Sequence, residues 1–359
     1  MEDSPTYNFK VKSVIHDYDV QFIDDLRATL EGQLKEGDFI IIDNKVKDLY
    51  KNDLSSTLEK FQSIGIDAVE PQKSYQGIIP VIQTLIDQGF RKNHRLVAIG
   101  GGITQDVTAF IASIMYRGVQ WIFFPTTLLA QGDSCIGSKT SINFGDYKNQ
   151  IGGFYPPNAI FIFPAFVDTL TPAEMKSGMG EMLHYFIVSG KEDFEMYKGL
   201  YLKAFDDKTA LSRIIARSLE IKKGYIEVDE FDQNVRQVFN YGHSFGHAIE
   251  SLTRYRVPHG IAVGFGMDMA NYISVKMGLI SETIREEIRQ VIAPIIAGYA
   301  INDIEINQFQ KALSKDKKNV GTKLGLILNK GYGRIFKNVT EADEQFARWL
   351  KDYFAKELG

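Results

Sequence analysis

The sequence predicts an α/β domain built on a parallel sheet over residues 1–170, followed by a mostly α-helical domain over residues 171–359. Three observations lead there. Short, wholly apolar runs in the first half each stop at a polar or glycine-rich loop and give way to helical spacing, the βαβ pattern of a parallel sheet. After about Phe163 long stretches with apolar residues three and four apart take over. A chain of 359 residues also exceeds one comfortable core, which favours two domains.

In order, Phe39, Ile40, Ile41 and Ile42 form a buried-strand run that ends at Asp43 and Asn44. Helical spacing follows over residues 54–64, then a strand over 66–69 and a helix over 78–86. Leu96, Val97, Ala98 and Ile99 make the next strand, which runs straight into Gly100, Gly101 and Gly102. A helix over 106–115 and a strand at Trp121, Ile122, Phe123 and Phe124 complete a Rossmann-like alternation. Beyond a boundary near residues 163–172, helices are expected over 173–189, 211–227, 238–252 and 261–277. One hairpin pairs 324–328 with 334–336 around Asn329, Lys330 and Gly331. In the tail, Phe346, Trp349, Leu350, Tyr353 and Phe354 share a stripe expected to pack into the core.

Composition excludes several classes of function. The net charge is −4 and no basic stripe stands out, so nucleic-acid binding is not expected. Cys135 is the single cysteine, which rules out an intramolecular disulfide and suits a reducing cytoplasm. The N-terminal residues are acidic and lack the apolar core of a signal peptide, and no apolar run is long enough to span a bilayer. A cytoplasmic protein without membrane partners is expected. Neither internal repeats nor low-complexity segments are present.

The candidate chemistry is concentrated in a few places. Three of the six histidines lie between His243 and His259. His243 and His247 are four apart, so a helix stacks both imidazoles on one face, and His259 follows in a loop after Pro258 that can fold back over it. Each is either a metal ligand or a packed structural residue. Glu181 sits among Gly178, Met179, Gly180, Met182 and Leu183 near the start of an apolar helix. A carboxylate there is costly to bury unless paired, and a metal held by one Glu and two His would pair it. The loop Gly100–Gly102 joins a buried strand to a helix start; it suits a pyrophosphate or is a plain tight turn, and it is not a GxGxxG fingerprint. Thr126 and Thr127 end the next strand on the same sheet edge, where open α/β sheets bind ligands. Asp133, Ser134, Lys139, Lys148 and Asn149 form either a solvated loop or a phosphate and hydroxyl site.

Taken in order, GGGITQD, YRGVQWIFFPTTLLAQGDS, GSKTSIN, KNQIGGFYPP, GMGEML, VRQVFNYGHSFGHAIE, VPHG and DKK resemble the sugar phosphate cyclase family, most of all its 3-dehydroquinate synthases, over residues 43–318. The resemblance implies a dehydroquinate synthase-like fold with a metal-binding helical domain, and a homodimeric lyase of the shikimate pathway and aromatic amino acid biosynthesis. It implies zinc, or cobalt, held by Glu181, His243 and His259, with His247 facing substrate instead. NAD would lie on Asp43, Glu70, Lys73, Gly100, Gly101, Gly102, Asp106, Thr126, Thr127, Asp133, Ser134, Lys148, Thr169, Leu170 and Glu174. Substrate would meet Asp133, Lys139, Asn149, Lys222, Arg236, Asn240, His247 and Lys317, and Arg117 would reach into the neighbouring subunit's site.

Two positions depart from the family pattern. His184 stands where family members carry lysine, three residues after the zinc glutamate, so a substrate contact is altered there. Ser138 replaces the second glycine before Lys139. The implied reaction is redox-neutral: NAD takes a hydride and returns it while a seven-carbon sugar phosphate loses phosphate and closes to a carbocycle. Lys222, Arg236 and Asn240 favour the acid 3-deoxy-D-arabino-heptulosonate 7-phosphate, giving 3-dehydroquinate, over uncharged-head relatives such as sedoheptulose 7-phosphate. Valiolone-type cyclases differ at Arg236 and Asn240, and deoxy-inosose synthases at Asn240. The competing readings are another sugar phosphate cyclase, a metal-dependent NAD polyol dehydrogenase of the same fold, and a non-catalytic NAD-binding paralogue.

Overall fold

The apolar runs at 39–42, 96–99 and 121–124 become neighbouring, fully buried strands of one seven-stranded sheet. The structure, a computed structural model, describes residues 7–145, 147–315, 319 and 323–357. It divides into unit 1, Met1–Leu170 with Lys222–Phe231, and unit 2, Thr171–Ile221 with Asp232–Gly359. The segment Lys222–Phe231 therefore groups with the first unit, although the sequence reading assigned it to the second domain.

Unit 1 runs β1 (Phe9–Val11), β2 (Tyr18–Phe22), α1 (Leu26–Gln33), β3 (Phe39–Asp43), α2 (Asn44–Leu49), α3 (Lys51–Lys60), β4 (Gln62–Ile66), α4 (Tyr75–Asp87), β5 (Arg95–Gly100), α5 (Gly102–Ile114), β6 (Gln120–Pro125), β7 (Lys139–Phe144), β8 (Tyr147–Phe154) and β9 (Ala159–Ile162). The sheet order is β1-β2-β9-β6-β5-β3-β4; β1 pairs antiparallel with β2 and all other pairs are parallel. Alternate residues Ile40, Ile42, Val97, Ile99, Ile122 and Phe124 join one core with Leu26, Leu30 and Leu54 from α1 and α3. Helical spacing expected to Ile64 stops at Lys60, and the strand expected over 66–69 lies at Gln62–Ile66 instead. Ile64 and Ile66 alternate with Ser63 and Gly65, a strand period that also prolongs a helical stripe. The antiparallel hairpin β7–β8 replaces what read as a loop.

The segment Lys222–Phe231 is tied into unit 1 by polar contacts. Buried Glu230 accepts hydrogen bonds from Ser13 Oγ, Val14 N and Ser138 Oγ, each at 2.7 Å. Ser138 holds a left-handed φ of 64°, where a glycine would be unstrained. Its hydroxyl bond to Glu230 is the compensating contact.

Unit 2 contains α6 (Pro172–Ser189), α7 (Lys191–Leu200), most of α8 (Lys208–Ile226), α9 (His243–Leu252), α10 (His259–Lys276), α11 (Glu282–Ile296), α12 (Ile306–Leu313), the hairpin β10 (Leu324–Asn329) and β11 (Ile335–Thr340), and α13 (Glu344–Lys356). Thr171 and Glu174 form a capping box that starts α6, with Pro172 in its first turn. The helix expected over 238–252 is broken. A 3-10 turn, Val235–Asn240, is followed by Gly242 at φ 83°, and α9 begins only at His243. His259, expected in a loop, is the first residue of α10, directly after Pro258. Phe346, Leu350 and Tyr353 of the tail are buried, and Trp349 and Phe354 are partly so. Among the described residues no helix is long and apolar enough to cross a membrane.

Candidate functional site

Three helices of unit 2 converge because glycines remove the side chains that would keep them apart. A Cβ on Gly180 of α6 would lie 2.2 Å from Gly260 O, and one on Gly260 of α10 would lie 1.8 Å from Ser177 O. Between α9 and α10, a Cβ on Gly266 would lie 1.9 Å from Gly242 O. These backbone-to-backbone contacts bring Glu181 of α6, His243 of α9 and His259 of α10 together, with one candidate ligand atom from each lying within 4.8 Å of the others. Glu181 Oε1 is 3.3 Å from His243 Nε2, and its Oε2 is 3.3 Å from His259 Nε2.

The donor set fits a divalent metal. Two ligand atoms on a tetrahedral ion with bonds of about 2.0–2.1 Å are separated by roughly 3.3 Å. Buried Glu181 Oε2 has no hydrogen-bond partner, a deficit that a cation would meet. Each histidine has its other nitrogen occupied, so that Nε2 faces Glu181. His243 Nδ1 lies 3.3 Å from Tyr241 O, and His259 Nδ1 lies 2.9 Å from Glu250 Oε2. Burial pushes the Glu181 carboxyl up, but the imidazoles of His243 and His259 outweigh it and hold the group well below the usual carboxylate range. Burial works the other way on His259, where Glu250 and Glu181 prevail and raise its pKa well above the ordinary imidazole value.

His247 lies one turn along α9 and is exposed, its ring 5.5 Å from that of His243 and 5.8 Å from that of His259. With Glu250 and His259 it forms a second possible metal group. His184 is fully buried on α6, 4.0 Å from Glu181 Oε1, with its ring against Tyr185, Phe239 and His243. Arg236 is buried and Asn240 donates to Gln237 O in the 3-10 turn before α9. Glu174 serves the α6 capping box. Lys317 lies outside the described residues. Glu250 escaped the sequence reading, although it is on the His243 and His247 face of α9 at helical spacing.

In unit 1 several of the other candidates lie at the carboxyl ends of the parallel strands. β3 lies between β4 and β5, so the chain order reverses beside it, and Asp43 and Gly100 end the two strands flanking that crevice. Asp43 caps α2 by accepting from Lys45 N. Gly101 is the N-cap of α5 and offers no side chain to its first-turn N–H groups, which suits an anion. Space is tight here: a Cβ on Gly100 would meet Thr104 Oγ1 at 2.3 Å and Thr104 Cβ at 2.5 Å, and one on Gly101 would press on Thr127 Cγ2 at 2.8 Å, a side-chain end that would have to shift. Thr126 N donates to Gly100 O, which ties the next strand end to this loop.

Ser134 and Gln105 bond reciprocally at 2.6 Å. Lys73 pairs with Asp106 at 2.5 Å, and Lys148 with Glu70 at 3.3 Å. Asn143 joins the two pairs, donating through its side chain to Glu70 and through its backbone to Lys73 O. Burial raises the Asp106 pKa in spite of Lys73. Lys222 Nζ donates to both the carbonyl and Oδ1 of Asp133 at 2.7 Å. Lys139 and Asn149 are exposed on the β7–β8 hairpin, where Ser141 Oγ donates to Asn149 Oδ1. Thr169 meets Tyr50 OH at 3.3 Å, and Leu170 is the last residue of this part of unit 1. Exposed Arg117 follows α5 with φ 64°, between Tyr116 at 51° and Gly118 at 113°.

A family model for the 3-dehydroquinate synthase N-terminal region matches residues 63–177, and one for the C-terminal region matches 178–319. The 3-dehydroquinate synthase of Campylobacter concisus (strain 13826) is 35% identical over 342 residues, covering 94% of this chain and 96% of that protein. That of Dictyoglomus turgidum (strain DSM 6724 / Z-1310) is 37% identical over 300 residues, 83% of each. Among solved structures, 2-epi-5-epi-valiolone synthase from Streptomyces hygroscopicus subsp. jinggangensis 5008, with NAD+ and Zn2+ bound, superimposes with a TM-score of 0.85 at 24% identity over 97% of this chain and 98% of that one. A 2-deoxy-scyllo-inosose synthase complexed with carbaglucose-6-phosphate, NAD+ and Co2+ gives 0.81 at 21% identity over 97% and 99%. An iron-containing alcohol dehydrogenase gives 0.62 at 13%, over 95% and 98%. The chain belongs to the 3-dehydroquinate synthase family of sugar phosphate cyclases, and it is an enzyme.

Proposed function

We propose that this enzyme converts 3-deoxy-D-arabino-heptulosonate 7-phosphate to 3-dehydroquinate and phosphate, using NAD and zinc. The observation that carries the reading is the Glu181, His243 and His259 constellation in a chain whose relatives are 3-dehydroquinate synthases. The sheet edge at Asp43, Gly100–Gly102, Thr126 and Thr127 would take the cofactor, with the pyrophosphate on the α5 N-terminus. When bound, NAD would supply a reversible hydride acceptor and the zinc ion a Lewis acid that lowers a substrate hydroxyl's pKa.

The chain's own residues would bind and orient the substrate. Lys139, Asn149, Lys222, Asn240, His247 and Lys317 would hold its phosphate and hydroxyls, with Asp133 fixing the Lys222 ammonium. Buried Arg236 offers a planar fork for two parallel bonds to a carboxylate, which supports the acid substrate over an uncharged one. A substrate lacking the carboxylate would forgo these two charge-assisted bonds and should be turned over less efficiently. The enzyme would act as a homodimer, with exposed Arg117 serving the neighbouring subunit's site. The net change balances: one carbon–oxygen bond to phosphate breaks, one carbon–carbon bond closes the ring, and NAD ends as it began.

The test offers the heptulosonate and sedoheptulose 7-phosphate separately to the purified protein with NAD and zinc. Phosphate release from the heptulosonate, a product with the mass and NMR spectrum of 3-dehydroquinate, and no accumulating NADH are expected. Stoichiometric NADH would instead indicate a dehydrogenase. Turnover of sedoheptulose 7-phosphate alone would overturn the choice of substrate.

A further inference from the structure

Glu250 has no part in the proposed reaction as described so far. Its carboxylate is 12% exposed and lies 2.9 Å from His259 Nδ1. Seven residues separate it from His243, two helical turns, so α9 presents both on the face that meets α10. Two arrangements can account for a carboxylate there. In one, His247, Glu250 and His259 hold a metal of their own. In the other, Glu250 accepts the Nδ1 proton of His259 and leaves Nε2 to bind a metal with Glu181 and His243.

Distances favour the second. At 2.9 Å, Glu250 and His259 Nδ1 are at hydrogen-bond length. Two ligands on one tetrahedral ion would stand about 3.3 Å apart. The Nε2 contacts of Glu181 with both His243 and His259 are 3.3 Å. Charge points the same way: Glu181 and Glu250 together would balance a divalent cation in a largely buried centre, whereas Glu181 alone would leave one positive charge uncompensated.

We propose that Glu250 is a positioning residue of the metal centre. It holds His259 in the Nδ1–H tautomer, aims Nε2 at the ion and makes that nitrogen a stronger donor. His243 has only a backbone carbonyl, Tyr241 O at 3.3 Å, in the equivalent place, so the two histidines are held unequally. The inference rests on the metal reading above, with Glu181, His243 and His259 as ligands.

The experiment titrates Co2+ into the metal-free full-length chain against a chelator of known affinity, following both affinity and the visible Co2+ absorption. Glu250→Gln keeps size and shape but removes the charge; a loss of about 10- to 100-fold in affinity with a displaced absorption band is expected. Glu250→Asp, which restores the charge on a shorter arm, should recover part of the affinity and serves if the glutamine variant does not fold. His247→Ala should leave affinity and band unchanged. Wild-type affinity and spectrum in folded Glu250→Gln overturn the inference. So does strong binding in Glu181→Gln combined with loss in His247→Ala, which would assign the ion to the His247 group. Failure of the unaltered chain to bind Co2+ or Zn2+ would overturn the metal reading itself and this inference with it.

Discussion

Replacing Gly260 with alanine should disrupt the metal centre without altering any ligand. The added Cβ would stand 1.8 Å from Ser177 O and 2.7 Å from its carbonyl carbon, both backbone atoms. Since β-carbons essentially never come within 3.0 Å of such atoms, α10 must retreat from α6 by at least 1.2 Å along that contact (3.0 − 1.8 Å). Glu181 and His259 lie within a turn of it on the two helices, so their 3.3 Å separation would open, to about 4.5 Å at most if the whole of that 1.2 Å shift falls along it. Metal–ligand bonds tolerate about ±0.2 Å. Overpacking of this kind costs about 1–3 kcal/mol in stability, and loss of the ion would come on top. Gly264→Ala on the same helix is the control, because its Cβ would meet Ile296 Cγ2 at 3.2 Å, the end of a side chain that can rotate. Urea unfolding and metal content of both variants are the assays. Gly264→Ala should keep its ion and lose less than about 1 kcal/mol. A folded Gly260→Ala with wild-type metal affinity would refute the argument that the α6–α10 contact sets the ligand spacing.

Other expectations concern single residues. Glu181→Ala, His243→Ala and His259→Ala should each empty the purified protein of zinc and abolish turnover. His247→Ala should keep most of the metal while losing activity, and equal zinc loss in His247→Ala and His243→Ala would refute the ligand assignment. Arg117→Ala protein mixed with a zinc-ligand variant under subunit exchange should regain some activity; no recovery despite proven exchange would place Arg117 outside the neighbouring site. Burial raises the Asp193 carboxyl, but its bonds to Arg217 and Ser189 outweigh this and leave its pKa below the unfolded value. Its contribution is thus fully present above the unfolded pKa of about 3.9 and is lost as pH falls through the folded one. The stability gap between wild type and Asp193→Asn, measured by urea unfolding, should therefore shrink below about pH 4; a gap that widens with acid would contradict the pairing.

The parts of the fold that were legible in the sequence are those whose burial imposes a pattern. Phe39–Ile42 and the runs at 96–99 and 121–124 are covered on both faces and could hardly be anything but interior strands. The β7–β8 hairpin left no such mark, because β8 is largely exposed and carries Gly152 and Gly153 in place of β-formers. The break at Gly242 was hidden because Val238, Phe239, Phe245 and Ile249 keep a helical period across it. His259 read as part of the loop before a helix expected from Ile261, yet the restricted φ of Pro258 suits the entry to a helix, and α10 starts at the next residue.

The site divides similarly. Spacing marked His243 and His247 together because one helix face carries both, and it had no means of telling which ring a carboxylate on another helix would meet. That information came from the resemblance. Glu250 was missed because a glutamate in a helix ordinarily faces water.

The grouping of Lys222–Phe231 with unit 1 bears on how the protein is made. A ribosome that has released residues 1–170 has not yet delivered Lys222 to Asp133, or Glu230 to Ser13, Val14 and Ser138. The missing piece ends 61 residues later (231 − 170), a delay of roughly 3–12 s at about 5–20 residues per second. During that interval the nascent sheet has its strands but not its last polar ties, and residues of unit 2 are already emerging. Chaperone protection would matter most in this window. A synthetic gene split at the domain boundary should give a first fragment that is soluble only when the segment 222–231 is supplied as well.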